Sequence, residues 1–270
     1  MGEKLLKQLL PHLEKMHWPV EQGSTAQGQV AYLIGLEKVE SYSGDPKTLA
    51  EALRIFQSGG SAAYAYAGVA YMLVAASREA DRSYAAEGLE RAMDWLERAQ
   101  ELLPDDVEVN MIEALVYVYN GRFTDARLIL DYLKEQEPDN YHIHLAEMAY
   151  WAAQGKATEA ITAAKQAARV AATVPQRLRL HTQLAELYLE SGQLDEALKL
   201  HKELLHLDTR NPLLWHRVSL VYWRMGDFEE ADRANQQSLR LGRLPAAEQM
   251  ADKIKARRRG DTGLLSWFKR

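Results

Sequence analysis

Cysteine is absent from all 270 residues of this chain, which excludes disulfide bonds, thiolate nucleophiles and cysteine-ligated metals. Long apolar runs are also missing. The longest, 62–76, has 15 residues, fewer than the roughly 20 that a membrane-spanning helix needs. The first residues lack the sustained apolar segment and small-residue cleavage site of a secretory signal. We therefore expect a cytoplasmic protein.

Motifs for catalysis and metal binding are equally scarce. His142 and His144 are two residues apart, so on a helix they point to different faces. The glycine-rich stretches lack the strand and the lysine of a phosphate-binding loop, and no strand-turn-helix elbow presents a nucleophile. We therefore predict no metal, no cofactor and no enzymatic activity.

Charge is unevenly distributed along the chain, whose net formal charge is −5. Residues 253–270 contain seven basic residues and one acidic residue, a net charge of +6, so residues 1–252 carry −11. The acidic body gives no reason to expect a nucleic-acid partner, whereas the basic tail is suited to an anionic surface.

Three residue types recur in register: an aromatic, a glycine four residues later and an alanine five residues after the glycine. The aromatics are Tyr117, Trp151, Tyr188 and Tyr222, the glycines Gly121, Gly155, Gly192 and Gly226, and the alanines Ala126, Ala160, Ala197 and Ala231. Each series advances by 34, 37 and 34 residues. A shared phase of this kind indicates copies of one supersecondary unit.

The residue types in this pattern predict a helix, a tight turn and a second helix. Glycine ends the first helix in a left-handed conformation, and alanine lets two antiparallel helices cross closely. At these residues the chain resembles the tetratricopeptide repeat family. The resemblance implies an all-α fold, a right-handed α-solenoid of stacked antiparallel helix pairs, in which the first helix of each pair lines a concave groove that binds another protein.

The repeats divide the chain into nine segments. Two of them depart from the regular length: an insertion near 76–88 predicts longer helices or a protruding turn, and three extra residues near Pro175 predict a bend or a lengthened second helix. The segments are an N-terminal helix and linker (1–27), a degenerate pair (28–60), full repeats at 61–106, 107–140, 141–177, 178–211 and 212–244, a capping helix (245–259) and a tail (260–270).

Candidate partner-binding residues lie on the predicted first helices, facing away from the packed aromatic. They are Tyr66, Met72, Met111, Leu115, Tyr119, His142, Gln183, Glu186, Arg217, Trp223 and Arg224. Along the chain they change from apolar and aromatic to charged. The alternative for Leu115 is core packing, which we favour, and the alternative for Arg217, Trp223 and Arg224 is a solvated face. A carboxylate clamp for a chaperone tail is disfavoured, because only Arg217 suits it.

The tail combines basic residues with an apolar group, Leu264, Leu265, Trp267 and Phe268. It would fold back onto the last repeat, bind another protein or rest weakly on anionic lipid.

The leading hypothesis is a non-enzymatic scaffold or adaptor that binds a peptide or an amphipathic helix in its groove. The alternatives are a self-assembling structural protein, with the tail in a neighbour's groove, and a membrane-peripheral assembly factor.

Overall fold

Helices make up nearly all of the structure, a computed structural model that describes residues 2–15, 18, 25–40, 42, 46–79 and 83–267. Within these residues there are fourteen helices, and Arg78 and Tyr84 form an isolated antiparallel bridge. The helices are α1 (Gly2–Leu13), α2 (Ala26–Glu40), α3 (Pro46–Ser58), α4 (Ala62–Ala76), α5 (Ala86–Leu102), α6 (Val107–Tyr119), α7 (Phe123–Gln136), α8 (Tyr141–Ala153), α9 (Ala157–Val170), α10 (Val174–Glu190), α11 (Leu194–Leu207), α12 (Pro212–Met225), α13 (Phe228–Leu241) and α14 (Pro245–Trp267).

The chain forms two compact units, unit 1 (Met1–Gln176) and unit 2 (Arg177–Arg270). In unit 1, α2, α4, α6 and α8 each pack against the helix that follows; in addition α2 contacts α4, α4 contacts α6, and α6 contacts α8. In unit 2, α12 packs against α11 and α13, and α14 packs on α13. The predicted all-α fold of packed helix pairs is confirmed.

The turn inside each repeat explains why aromatic, glycine and alanine keep one phase. At Gly121, with φ of 74°, the glycine N–H donates to the Val118 carbonyl at 3.1 Å, and Arg122 N–H donates to the Tyr117 carbonyl at 2.8 Å. These two bonds are the Schellman ending of a helix. The Arg122 carbonyl then accepts from Ala126 N at 3.0 Å, so one turn fixes all three positions.

The same bonds recur in the other three copies. The glycines have φ of 71°, 78° and 83°, in the left-handed region. The residue after each glycine donates to the aromatic carbonyl at 2.9–3.0 Å, and the alanine donates to that residue's carbonyl at 3.0–3.1 Å; these residues are Lys156, Gln193 and Asp227. The repetition in sequence is therefore a repetition of one hydrogen-bonded turn.

Substitution of Gly192 tests this explanation. No atom lies within 4 Å of a β-carbon built there, so the cost of Gly192→Ala is the left-handed backbone alone, about 1–2 kcal/mol of unfolding free energy. Gly242→Ala is the matched control, because its φ of −177° is extended backbone and its nearest neighbour, Pro212, is 3.4 Å away. Urea unfolding should show the loss for Gly192→Ala only; equal stability of both variants would contradict the explanation.

Several first helices begin behind a capping side chain. Asp106 Oδ1 accepts from Glu108 N at 3.0 Å, Asn140 Oδ1 accepts from His142 N at 2.8 Å, and Asn211 Oδ1 accepts from Leu213 N at 3.0 Å. These bonds satisfy amide groups that a helix start leaves without partners. The repeats that begin with α6, α8 and α12 therefore have a defined start as well as a defined turn.

The two irregular segments take different forms. Around the insertion, α4 has 15 residues and α5 has 17, while Ala85 N donates to the Ser77 carbonyl at 2.9 Å across the connection. Residues 80–82 lie outside the described part. Near Pro175 the second helix, α9, keeps the 14 residues of α7, so the predicted lengthening of that helix is wrong. The extra residues fall in 171–173 and in α10, which has 17 residues.

Phe56 of α3 holds three helices of unit 1 together. Its buried ring lies between two glycines: a β-carbon at Gly35 of α2 would be 2.1 Å from Phe56 Cε1, and one at Gly68 of α4 would be 2.4 Å from Cδ1. Interiors are packed closely enough that such a ring has little room to move. The glycines at 35 and 68 are therefore packing residues.

Candidate functional site

Three of the predicted groove residues are part of the core of unit 1. Met72, Met111 and Leu115 are all buried and belong to one continuous hydrophobic cluster. They offer no surface to a partner in this structure. For Leu115 this matches the core packing that we favoured.

The other predicted residues of unit 1 contact neighbouring side chains. Tyr66 packs edge-on against Trp18, with ring centroids 5.8 Å apart, and Tyr119 stacks on Tyr84, with centroids 4.0 Å apart. Both Tyr66 and Tyr119 are half-buried. The aromatic part of the predicted groove is thus already organised by contacts within the unit.

His142 is buried in a polar contact with α6. Its Nδ1 lies 3.2 Å from Glu108 Oε2, and Asn140 Nδ2 donates to Glu108 Oε1 at 3.0 Å. Burial alone would raise the pKa of Glu108, but the bonds from His142 and Asn140 outweigh it and keep this pKa below its ordinary value. His142 therefore acts as a link between α8 and α6.

The charged residues of unit 2 form a connection between successive first helices. Arg217 Nε of α12 lies 2.9 Å from Glu186 Oε1 of α10, and the Arg224 guanidinium donates to the Leu189 carbonyl. Gln183 is one turn before Glu186 and is half-buried. We call Gln183, Glu186, Arg217 and Arg224 the α10–α12 surface.

Trp223 packs away from this surface. Its ring meets Phe228 of α13 edge-on, with centroids 5.0 Å apart, and the Arg257 guanidinium of α14 lies 3.7 Å from the Phe228 ring centre. Along α14, Ala247, Met250 and Ile254 are buried. The helix predicted as a cap thus covers α13 of the last repeat.

The predicted tail site is only partly within the described structure. Helix α14 continues to Trp267 and so includes most of the segment predicted as a tail, 260–270. The side chains of Leu264, Leu265 and Trp267, and the whole of Phe268, lie outside the described residues. Their binding role stays a prediction.

Unit 1 also contains a polar and aromatic site that sequence analysis missed. Thr173 Oγ1 donates to Glu37 Oε1 at 2.9 Å, joining residues 136 positions apart in the chain. Tyr71 Oη donates to Glu40 Oε1 at 3.2 Å, and Tyr141 Oη donates to the Gln176 carbonyl at 3.4 Å. Nothing in the repeat spacing linked Glu37 to Thr173.

The four tyrosines of this site influence one another. Burial raises the pKa of Tyr71 well above its ordinary value, and the nearby hydroxyls of Tyr119, Tyr141 and Tyr84 raise it further. Burial and Glu37 raise the pKa of Tyr141. We call Tyr71, Tyr84, Tyr119 and Tyr141 the tyrosine cluster; its members are neutral at physiological pH.

Unit 2 contains two buried histidines. His201 has 0% of its surface exposed, and neither ring nitrogen has a hydrogen-bond partner among the described residues. Burial, together with the Arg217 charge, lowers the pKa of His201 to about 4. Burial and the Arg217 charge also lower the pKa of His216. A hydrogen bond with Asn235 raises this pKa, but by less than the other two effects lower it. Both rings are neutral in the folded unit at pH 7.

The described residues form neither a metal-binding group nor a membrane-spanning helix. There, His, Asp and Glu side chains nowhere gather in a group of three or more that would hold an ion. None of the described helices combines the length and the apolar character needed to cross a bilayer.

Comparison with known proteins agrees with the repeat geometry. Two family models described as tetratricopeptide repeat match residues 152–217 and 213–241. No curated protein sequence matches the chain.

Solved structures share the fold at low sequence identity. A tetratricopeptide repeat protein from Parabacteroides merdae aligns over 85% of this chain and 87% of its own, with 16% identity and a TM-score of 0.52. Yeast Tom70 aligns over 96% of this chain and 58% of its own, with 14% identity and a TM-score of 0.53. With the helix pairs and turns described above, these matches identify tetratricopeptide repeats within residues 152–241 and show the same helical-repeat fold for the chain.

Proposed function

We propose that this protein is a non-enzymatic cytoplasmic scaffold, and that a peptide or helix of another protein lies along the first helices of its repeats. Repeats of this family support a role in protein interaction in general. The observation that carries the finer proposal is the ion pair of the α10–α12 surface, Arg217 to Glu186 at 2.9 Å.

A fixed ion pair suits recognition because its charges are already oriented. Arg217 and Glu186 are both half-buried, and Arg224, one heptad after Arg217, is exposed. Complementary charges across an interface set the register and direction of a bound segment more than they set its affinity. Side chains held by contacts within the protein also lose less entropy when a partner binds.

Met111 is not a suitable probe of the groove. Because Met111 is buried, Met111→Glu would place an unpaired charge in the core and would destabilise the unit rather than report on binding. A test needs a change on the exposed side that preserves the fold.

Exchange of the two charges provides such a test. The double variant Glu186→Arg with Arg217→Glu keeps an ion pair between α10 and α12 but reverses its direction. We expect capture of the native partner to fall at least about tenfold, because like charges then face each other across the interface. Capture is measured by crosslinking and quantitative mass spectrometry of proteins that copurify from the native cell.

The matched control is the same exchange on a second helix. Arg233 and Glu229 of α13 are paired at 3.7 Å and are both exposed, so their exchange alters charge away from the first helices. It should leave capture unchanged. If both exchanges reduce capture equally, or neither reduces it, the α10–α12 surface is not the binding site.

A further inference from the structure

We propose that the second half of α14 lies along the anionic surface of a lipid membrane. The part concerned is residues 258–270, which we call the α14 extension. The inference goes beyond the proposed function, because it adds a membrane to the surfaces that this scaffold contacts. It does not involve the α10–α12 surface, so either proposal can fail while the other stands.

Two contacts define how α14 runs along α13. Asn235 Nδ2 donates to the Ala247 carbonyl at 2.9 Å, and the Arg257 guanidinium lies 3.7 Å from the ring centre of Phe228. The two helices are therefore antiparallel, and α14 reaches Phe228, the first residue of α13, at Arg257. Beyond this point the helix continues through residues 258–267, a distance of about 15 Å.

The apolar residues of the α14 extension are spaced so as to share one side of a helix. At about 100° per residue, four of them fall within an arc of about 160°. They are Leu264, Leu265, Trp267 and Phe268. Asp261, the acidic residue of the extension, falls in the same arc, as do the positions of Ala247, Met250 and Ile254, which are buried. The apolar side that packs on α13 thus continues past the start of α13.

The basic residues of the extension border this apolar side. In the same projection they stand in two pairs, one at each edge of the polar side, with Thr262 and Ser266 between the pairs. The pairs are Arg258 with Lys269 and Arg259 with Arg270. Cations at both edges reach lipid phosphates while the apolar side enters the membrane interface. An anionic membrane supplies phosphates along both edges at once, whereas a protein groove would need carboxylates along both of its rims.

A helix of this composition is stable when its apolar side is covered. Gly260 and Gly263 lower the helix propensity of the extension, and an isolated helix shorter than about 12–15 residues is marginal in water. The surface that α13 provides begins at Phe228 and so ends where the extension starts. The cover therefore has to come from outside α13.

Charge and apolar character act together at a membrane surface. Stable attachment of a peripheral protein takes two signals, and here the apolar residues supply one and the basic residues the other. Residues 253–270 have a net charge of +6, while residues 1–252 carry −11. An anionic membrane therefore attracts the extension and repels the body, so that the repeats stay in water and remain accessible to a partner.

Flotation of the full chain with lipid vesicles tests the inference. The vesicles contain phosphatidylcholine alone or with about one third phosphatidylserine. We expect the partition coefficient to be at least about tenfold higher on the anionic vesicles at low salt, and to fall at least about tenfold when the salt is raised to about 0.5 M. No flotation at low salt, or equal flotation with both kinds of vesicle, would overturn the inference.

Two pairs of substitutions locate the attraction. Arg258→Gln with Arg259→Gln removes two charges from the extension and should weaken flotation at least about tenfold. Arg233→Gln with Arg240→Gln removes the same charge from exposed positions of α13 and should leave flotation within about twofold, because these positions lie outside the extension. Equal losses would mean that the net charge of unit 2 drives the attachment, and they would overturn the inference.

Trp267 reports whether the apolar side enters the membrane. Brominated lipids should quench part of the tryptophan fluorescence, and Trp267→Phe should remove that quenching while keeping flotation within about threefold. Trp267→Ser with Phe268→Ser should weaken flotation at least about tenfold, because both aromatic anchors are lost. Unchanged flotation of this double variant would contradict the inference.

A protein partner for the extension is the competing outcome. A benzophenone amino acid at position 267 would then form protein adducts in the native cell, and the vesicles would not bind the full chain. That pair of results would assign the extension to a protein groove and overturn the membrane site. The charge exchange in unit 2 judges the proposed function independently of either result.

Discussion

Replacement of Gly68 by alanine is expected to destabilise unit 1 by about 3 kcal/mol, the upper end of overpacking costs in protein cores. The added β-carbon would lie 2.4 Å from Phe56 Cδ1, and the buried ring is also held close to Gly35, where a β-carbon would be 2.1 Å from Cε1. Urea unfolding, followed by hydrogen exchange of peptides from α2 to α4, measures the loss.

A double-mutant cycle shows whether Phe56 is the cause. Phe56→Leu alone leaves a cavity and costs stability, but it makes room for a methyl group at position 68. The double variant should therefore be more stable than the sum of the two single changes predicts. Additive losses would mean that the cost of Gly68→Ala arises elsewhere, and an unchanged stability of Gly68→Ala would contradict the packing described.

Acidification from pH 6.5 to pH 4 is expected to remove about 3 kcal/mol of the stability of unit 2 through His201 alone. The ring is buried and neutral when folded, with its pKa lowered from 6.5 to about 4. Between pH 4 and pH 6.5 the unfolded chain binds more protons at His201 than the folded unit does. The contribution of His201 to the free energy of unfolding is therefore fully present above pH 6.5 and declines as the pH falls toward 4. Below pH 4 both states are protonated.

A substitution on the same helix isolates this effect. Since neither ring nitrogen of His201 has a hydrogen-bond partner in the described structure, His201→Leu should retain stability at pH 7 and flatten its decline below pH 6.5. His206→Gln is the control, because His206 of α11 is exposed. Hydrogen exchange of peptides from α11 to α13 measures the stability of unit 2 separately from that of unit 1. An unchanged decline in His201→Leu would assign the acid sensitivity to other groups, such as His216.

Local features of the fold were predictable from sequence because they depend on neighbouring residues. The turn at Gly121 needs only a glycine and the bonds of Tyr117, Arg122 and Ala126, all within ten residues. The start of α8 needs only Asn140. Spacing and residue type were therefore sufficient to predict the repeats.

The candidate site was less predictable, because it depends on how the repeats pack. Each residue along a helix turns the side chain by about 100°, so a small error in phase moves Met111 from the groove to the core. The Glu37–Thr173 contact joins residues 136 positions apart, and no periodicity encodes it. The contact between Phe56 of α3 and Gly68 of α4 likewise depends on how the helices pack, and no local sequence pattern predicts it.

A rival surface exists on the second helices. Leu128 and Tyr132 of α7 are 68% and 48% exposed and lie one turn apart, so they present an apolar strip that another protein would also cover. The proposed function requires that the partner contact the first helices. These two surfaces must be compared under the same conditions.

Site-specific photocrosslinking in the native cell makes that comparison directly. A benzophenone amino acid is placed in turn at Gln183 and Arg224 on the first helices, and at Leu128 and Tyr132 on α7. The account predicts protein adducts from Gln183 and Arg224 and background levels from α7. Adducts from α7 with none from Gln183 or Arg224 would contradict it.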